Sequence, residues 1–188
     1  MPSMRRLPRS ILGAAGALAV VLCGGVALSV WGGAPKRFAQ VDEGVFRSGE
    51  LTPATLEREA REHGLRTVVS LLNPEAPESV AEQAAARRLG LRWINVPLRG
   101  NGASTPEDRE QIKAALFDPA NRPLLVHCAA GVNRTGLAVG MYRLHQQGWT
   151  LEQVMAEMRA FDFEDEPHHE NLRAALQAEA ERTRCDPP

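Results

Sequence analysis

The stretch Pro123-Leu124-Leu125-Val126-His127-Cys128-Ala129-Ala130-Gly131-Val132-Asn133-Arg134-Thr135-Gly136 constrains this chain more than any other. The apolar run from Pro123 to Val126 reads as a buried strand. A cysteine follows, then a tight turn containing Gly131, then an arginine six positions after the cysteine. From Arg134 an apolar-periodic helix begins, carrying Leu137, Val139, Met141, Tyr142 and Leu144. One loop is thus flanked by a thiol at the end of a strand and a guanidinium at the start of a helix.

That arrangement suits a tetrahedral dianion. The backbone N–H groups of Ala129, Ala130, Gly131, Val132, Asn133 and Arg134, ending in a helix N-terminus, form an anion cradle. Arg134 can clamp two phosphate oxygens at once, which a lysine cannot do. The same positive field favours a thiolate, so Cys128 is expected to be a nucleophile at neutral pH. Thr135 follows the arginine, where its hydroxyl can reach the sulfur. A phosphorylated molecule is the expected substrate, and no cofactor or metal is required, because the loop itself supplies the positive field.

His127-Cys128, five intervening residues and Arg134-Thr135-Gly136 resemble the signature loop of the cysteine-dependent protein tyrosine phosphatases. The surrounding sequence, from about Val41 to Leu176, most resembles the dual-specificity-like branch found in bacteria. Val45-Phe46-Arg47-Ser48-Gly49 is similar to the first strand of those proteins, which would place Arg47 or Ser48 near phosphate; a surface arginine at a hairpin end is the alternative. The resemblance implies attack by Cys128 on phosphorus, a phosphocysteine, and its hydrolysis by water. It implies that His127 supports the loop by bonding backbone near the sulfur. Sulfur transfer by the same thiol is disfavoured by the arginine spacing and by Thr135.

Most relatives also carry an aspartate as general acid on the loop after the preceding strand. Here that loop reads Val96-Pro97-Leu98-Arg99-Gly100-Asn101-Gly102, without one. Asp108, in the first turn of a helix, and Asp162, in the acidic loop at residues 161–167, are the candidates that remain. Without an acid, leaving groups of low pKa are favoured: aryl phosphates and phosphoanhydrides over alkyl phosphates. A phosphate-binding module without turnover is the alternative.

The flanking sequence predicts alternating strands and helices. Thr52-Pro53, Ser79 and Thr105-Pro106 read as helix starts, and residues 67–72 and 91–98 as strands. The expected fold is α/β, a mostly parallel central sheet flanked by helices, with the cysteine loop beyond the carboxyl end of a strand. His168-His169 lacks a third metal ligand at a credible spacing.

The N-terminus differs in kind. Residues 11–31 hold 21 residues without a charge, enough to cross a bilayer as a transmembrane helix. Arg5, Arg6 and Arg9 in residues 1–10 argue that this end stays inside, placing the domain on the periplasmic or extracytoplasmic side; Lys36 and Arg37 oppose that orientation. A cleaved signal peptide is the alternative. Residues 32–37 read as a linker, 38–184 as the phosphatase domain and 185–188 as a tail. A net charge of −1 gives no basis for binding nucleic acid, and three scattered cysteines do not make a disulfide framework.

Overall fold

The computed structural model describes residues 35–185. The expected membrane-spanning stretch, residues 11–31, lies outside them. Among the described residues no helix is long and apolar enough to cross a membrane.

Five short strands form one sheet: β1 (Ala39–Asp42), β2 (Val45–Ser48), β3 (Thr67–Ser70), β4 (Arg92–Asn95) and β5 (Leu124–His127). Their spatial order is β1-β2-β5-β3-β4. The pair β1–β2 is an antiparallel hairpin, and every other pairing is parallel. The expected mostly parallel sheet is what forms. β5 lies at its centre, with His127 in register with Ser48 on one side and Ser70 on the other.

Among the described residues six α-helices cover the faces: α1 (Pro53–His63), α2 (Pro77–Arg88), α3 (Pro106–Phe117), α4 (Asn133–Gln147), α5 (Leu151–Ala160) and α6 (Glu170–Cys185). Alternate residues of a strand point to opposite faces, and the core divides accordingly. Leu124 and Val126 join the apolar cluster that includes Ile112, Leu137, Met141 and Leu176. Leu125 joins the other, with Phe46, Leu56, Val68 and Ala85. Buried on both faces, β5 needs the continuous apolar run its sequence shows.

Thr52 and Thr105 cap their helices as expected, each accepting a backbone N–H ahead of a proline at the helix start. Ser79 does not. α2 begins at Pro77, whose fixed φ suits a first helical residue, and Ser79 is buried within the first turn. The strand expected over residues 91–98 stops at Asn95, before Pro97, which has no N–H for the ladder.

α4 is the axis of the molecule: every residue from Thr135 to Leu144 is buried. Two helices pack on it because Gly140 has no side chain. A Cβ there would lie 2.8 Å from Cγ1 of Val154 and 2.9 Å from Cδ2 of Leu176. The N-terminus of this helix is the end that meets the cysteine loop.

Candidate active site

The cysteine loop runs from the end of β5 to the start of α4. Cys128 is 2% exposed, and His127 and Thr135 are fully buried beside it. Ala129 and Ala130 are exposed, Gly131 is buried, and Val132, Asn133 and Arg134 are half-buried.

Three successive carbonyls of the loop are tied from outside. Ala129 accepts from the backbone N–H of Glu50 at 3.1 Å. Ala130 accepts from Nη1 of Arg37 at 2.8 Å, and Gly131 from Nη2 of Arg47 at 2.6 Å. In a trans peptide the C=O and N–H point in opposite directions. The tethered Ala130 carbonyl therefore turns the Gly131 N–H toward the sulfur side. The Gly131 N–H is seen there, 3.3 Å from Sγ of Cys128. Of the amides expected to face inward, that of Gly131 is seen to do so, and the tether on the Ala130 carbonyl is its cause.

Gly131 makes the loop possible. Its φ is +75°, and a Cβ on it would lie 2.7 Å from the backbone nitrogen of Gly49. The loop rests directly on the end of β2, so no side chain fits between them.

Burial pushes the Cys128 thiol up. The hydroxyl and amide of Thr135, the Arg134 guanidinium and the Gly131 amide outweigh it, and the net position is below the ordinary thiol range. The Thr135 hydroxyl lies between this sulfur and the Ser48 carbonyl, 3.4 Å from the latter.

Arg134 is held at one end. Its Nη1 reaches the carbonyls of Leu71 at 3.3 Å and Leu98 at 3.5 Å. Its Nε is buried with no hydrogen-bond partner among the described residues. A buried N–H on an arginine is rarely left unmatched, and a phosphate oxygen over the loop is the acceptor that would match it.

His127 does not bond backbone near the sulfur. Its Nε2 lies 2.8 Å from Oε1 of Glu82, and both groups are buried. The contact is not aligned as a hydrogen bond. The other oxygen of Glu82 accepts from Nε1 of Trp93 at 3.1 Å. β5 sends His127 toward α2, away from the loop, because it alternates with Cys128. Glu82 escaped the sequence reading, since nothing in a helix of mixed charge marks one glutamate as buried.

Neither remaining acid candidate is free. The Asp108 carboxylate accepts from the Thr105 N–H at 2.8 Å and closes a capping box. Asp162, with φ +64° and a side chain 71% exposed, pairs with Arg37 at 2.8 Å. The loop that carries the acid in relatives does come to the site. Leu98 meets Arg134, and the Gly100 carbonyl accepts from Nδ2 of Asn133 at 3.3 Å. Asn133, placed in the sequence only as a loop amide, also contacts Nε2 of His169 at 2.9 Å. Arg37, read as a linker charge, and Arg47, left open between phosphate and surface, both hold the loop from behind.

Known proteins resemble this chain in sequence and in fold. Inositol diphosphatase DSP1 of Oryza sativa subsp. japonica is 37% identical over 134 residues, covering 68% of this chain and 57% of that protein. Dual specificity protein phosphatase TpbA of Pseudomonas aeruginosa is 28% identical over 102 residues, 54% of this chain and 44% of that protein. The chain spans 57%, 64% and 61% of the length of three inositol diphosphatases it matches. In fold it is similar to the core catalytic domain of PP-IP phosphatase SIW14 from S. cerevisiae. That match has TM-score 0.66 and 21% identity, and covers 81% of this chain and 94% of that one. The family model for the tyrosine phosphatase family matches residues 34–184, which hold the whole sheet, the cysteine loop and all six helices but the last residue of α6. The chain belongs to the tyrosine phosphatase family, within the cysteine-dependent protein tyrosine phosphatase superfamily.

Proposed function

We propose that this protein is a cysteine-dependent phosphatase acting on phosphates with good leaving groups: phosphotyrosine-like aryl esters and phosphoanhydrides. The observation that carries the reading is the pairing of Cys128, below the ordinary thiol range, with Arg134, whose buried Nε has no hydrogen-bond partner among the described residues. The family, and relatives named inositol diphosphatase and dual specificity protein phosphatase, support it.

The Cys128 thiolate attacks phosphorus in line with the leaving oxygen. The S–P bond forms as the P–O bond breaks, and the leaving group departs as its anion. Arg134 and the loop amides hold the three equatorial oxygens. Water then attacks phosphorus, the S–P bond breaks, and thiolate and inorganic phosphate are released with one proton. The Thr135 hydroxyl stabilises the sulfur as attacker and as leaving group.

The leaving-group preference follows from the engaged carboxylates of Asp108 and Asp162. With no acid to protonate an alkoxide, alkyl phosphates react slowly. Cys128→Ser should abolish turnover of a generic aryl phosphate while keeping inorganic phosphate binding. A parent protein without turnover would instead be a phosphate-binding module. Equal rates on aryl and alkyl phosphates would rule out the stated preference.

Membrane tethering through residues 11–31 is part of the proposal, resting on the uncharged stretch and the arginines before it. Release of the full chain from membranes by alkaline carbonate would refute it.

A further inference from the structure

Arg47 is 1% exposed and has no part in the steps above. Its Nη2 holds the Gly131 carbonyl, and its guanidinium carbon lies 3.7 Å from the centre of the Phe161 ring. Its Nε and Nη1 are buried without a hydrogen-bond partner among the described residues. A buried charge is costly unless another charge offsets it.

The charged groups around Arg47 come from four places. Glu157 on α5 is the acidic one, but both its oxygens are bound by Arg143 of α4, at 3.2 and 3.1 Å from Nε. Arg143 itself and Arg37, ahead of β1, add positive charge. The remaining group is the sulfur of Cys128. Burial lowers the Arg47 pKa to about 10, so it is still a cation at neutral pH. The Phe161 ring covers the guanidinium, and such a face favours a cation while keeping water out.

We infer that Arg47 is a positioning residue for the nucleophile, offsetting the Cys128 thiolate from beneath the loop and fixing Gly131, whose amide faces the sulfur. Two of the cations at the site then have separate tasks. Arg134 stands where a phosphate would arrive, and Arg47 stands behind the sulfur whether or not substrate is present. The inference rests on the reading of Cys128 as the nucleophile.

The test is the pH dependence of Cys128 alkylation by iodoacetamide in the full chain. Modification is mapped to Cys128 by mass spectrometry, and folding is checked by circular dichroism. Arg47→Met keeps an unbranched apolar stem against Phe161 and removes the charge. The midpoint should rise by about one pH unit, which lowers the thiolate fraction well below that midpoint about tenfold. Arg47→Lys should keep most of the parent midpoint while losing aryl phosphatase kcat, because a lysine cannot reproduce the guanidinium bond to Gly131. Arg47→Gln, which restores a donor without the charge, is read the same way if the Met variant does not fold. A folded neutral variant with the parent midpoint would overturn the inference. A parent midpoint in the ordinary thiol range would overturn the phosphatase reading itself, so the two failures are distinguishable.

Discussion

The imidazole of His169 bridges Asn133 and Glu164: Nε2 lies 2.9 Å from the Asn133 amide nitrogen, and Nδ1 lies 2.8 Å from the Glu164 carbonyl. A carbonyl only accepts, so Nδ1 carries the proton and Nε2 accepts from the asparagine. Asn133 donates to Gly100 as well, so one amide joins the cysteine loop, the loop after β4 and the loop before α6. His169→Gln retains an acceptor at the Nε2 position, while His169→Asn reaches only Glu164. The Asn variant should lose about three- to tenfold in kcat on an aryl phosphate, and the Gln variant should recover most of it. Equal losses in steady-state kinetics would show that the ring acts by packing alone.

Gly100 stands in the loop where relatives carry the acid, and a Cβ built on it meets nothing within 4 Å. Gly100→Asp should therefore be accommodated and place a carboxyl at the mouth of the site. A general acid contributes about 10²–10⁴-fold where it is well placed. An installed one should raise alkyl phosphate turnover about tenfold and leave turnover of a nitrophenyl ester nearly unchanged. The ratio of the two rates is the measurement, and an unchanged ratio would count against a missing acid as the cause of the preference.

Gly131→Ala should be severe for two reasons, a left-handed backbone and the 2.7 Å approach to Gly49. The strain costs about 1–3 kcal/mol. The larger effect is on rate, because the loop must lift from β2. A loss of about 100-fold or more in kcat/KM is expected with the fold retained, read by kinetics beside circular dichroism.

Glu179 of α6 is fully buried and binds Arg109 at 2.9 Å, Lys113 at 3.1 Å and His145 at 2.9 Å. Glu179→Gln strips the charge from this cluster and should cost about 3–5 kcal/mol, a fall in melting temperature of roughly 10 °C. Burial alone would raise the carboxyl's pKa, but Lys113, His145 and Arg109 hold it below the usual range. A folded-state pKa that is depressed contributes stability above the unfolded value and loses it as pH falls through the folded one. The parent should therefore lose stability below about pH 4, and the variant should show a flatter acid limb in urea titrations.

Much of this was legible because the cysteine loop is local. A strand, a thiol, a short loop and a helix are contiguous in sequence, and the proline-marked helix starts at Pro53 and Pro106 are equally local. The parallel sheet followed from alternation. What escaped depends on partners far along the chain. Arg47 and Gly131 are separated by 84 positions, and Arg37 and Asp162 by 125. Glu82 looks like any helical surface acid until β5 brings His127 against it. Ser79 misled because a proline two residues earlier makes a helix start that needs no hydroxyl.

The tie between Arg37 and Ala130 sets a boundary for anyone shortening this protein. A fragment beginning at the first strand would contain every residue of the sheet and the whole signature, yet one strut of the cysteine loop would have been cut away. The smallest faithful version of this domain starts upstream of its first regular element.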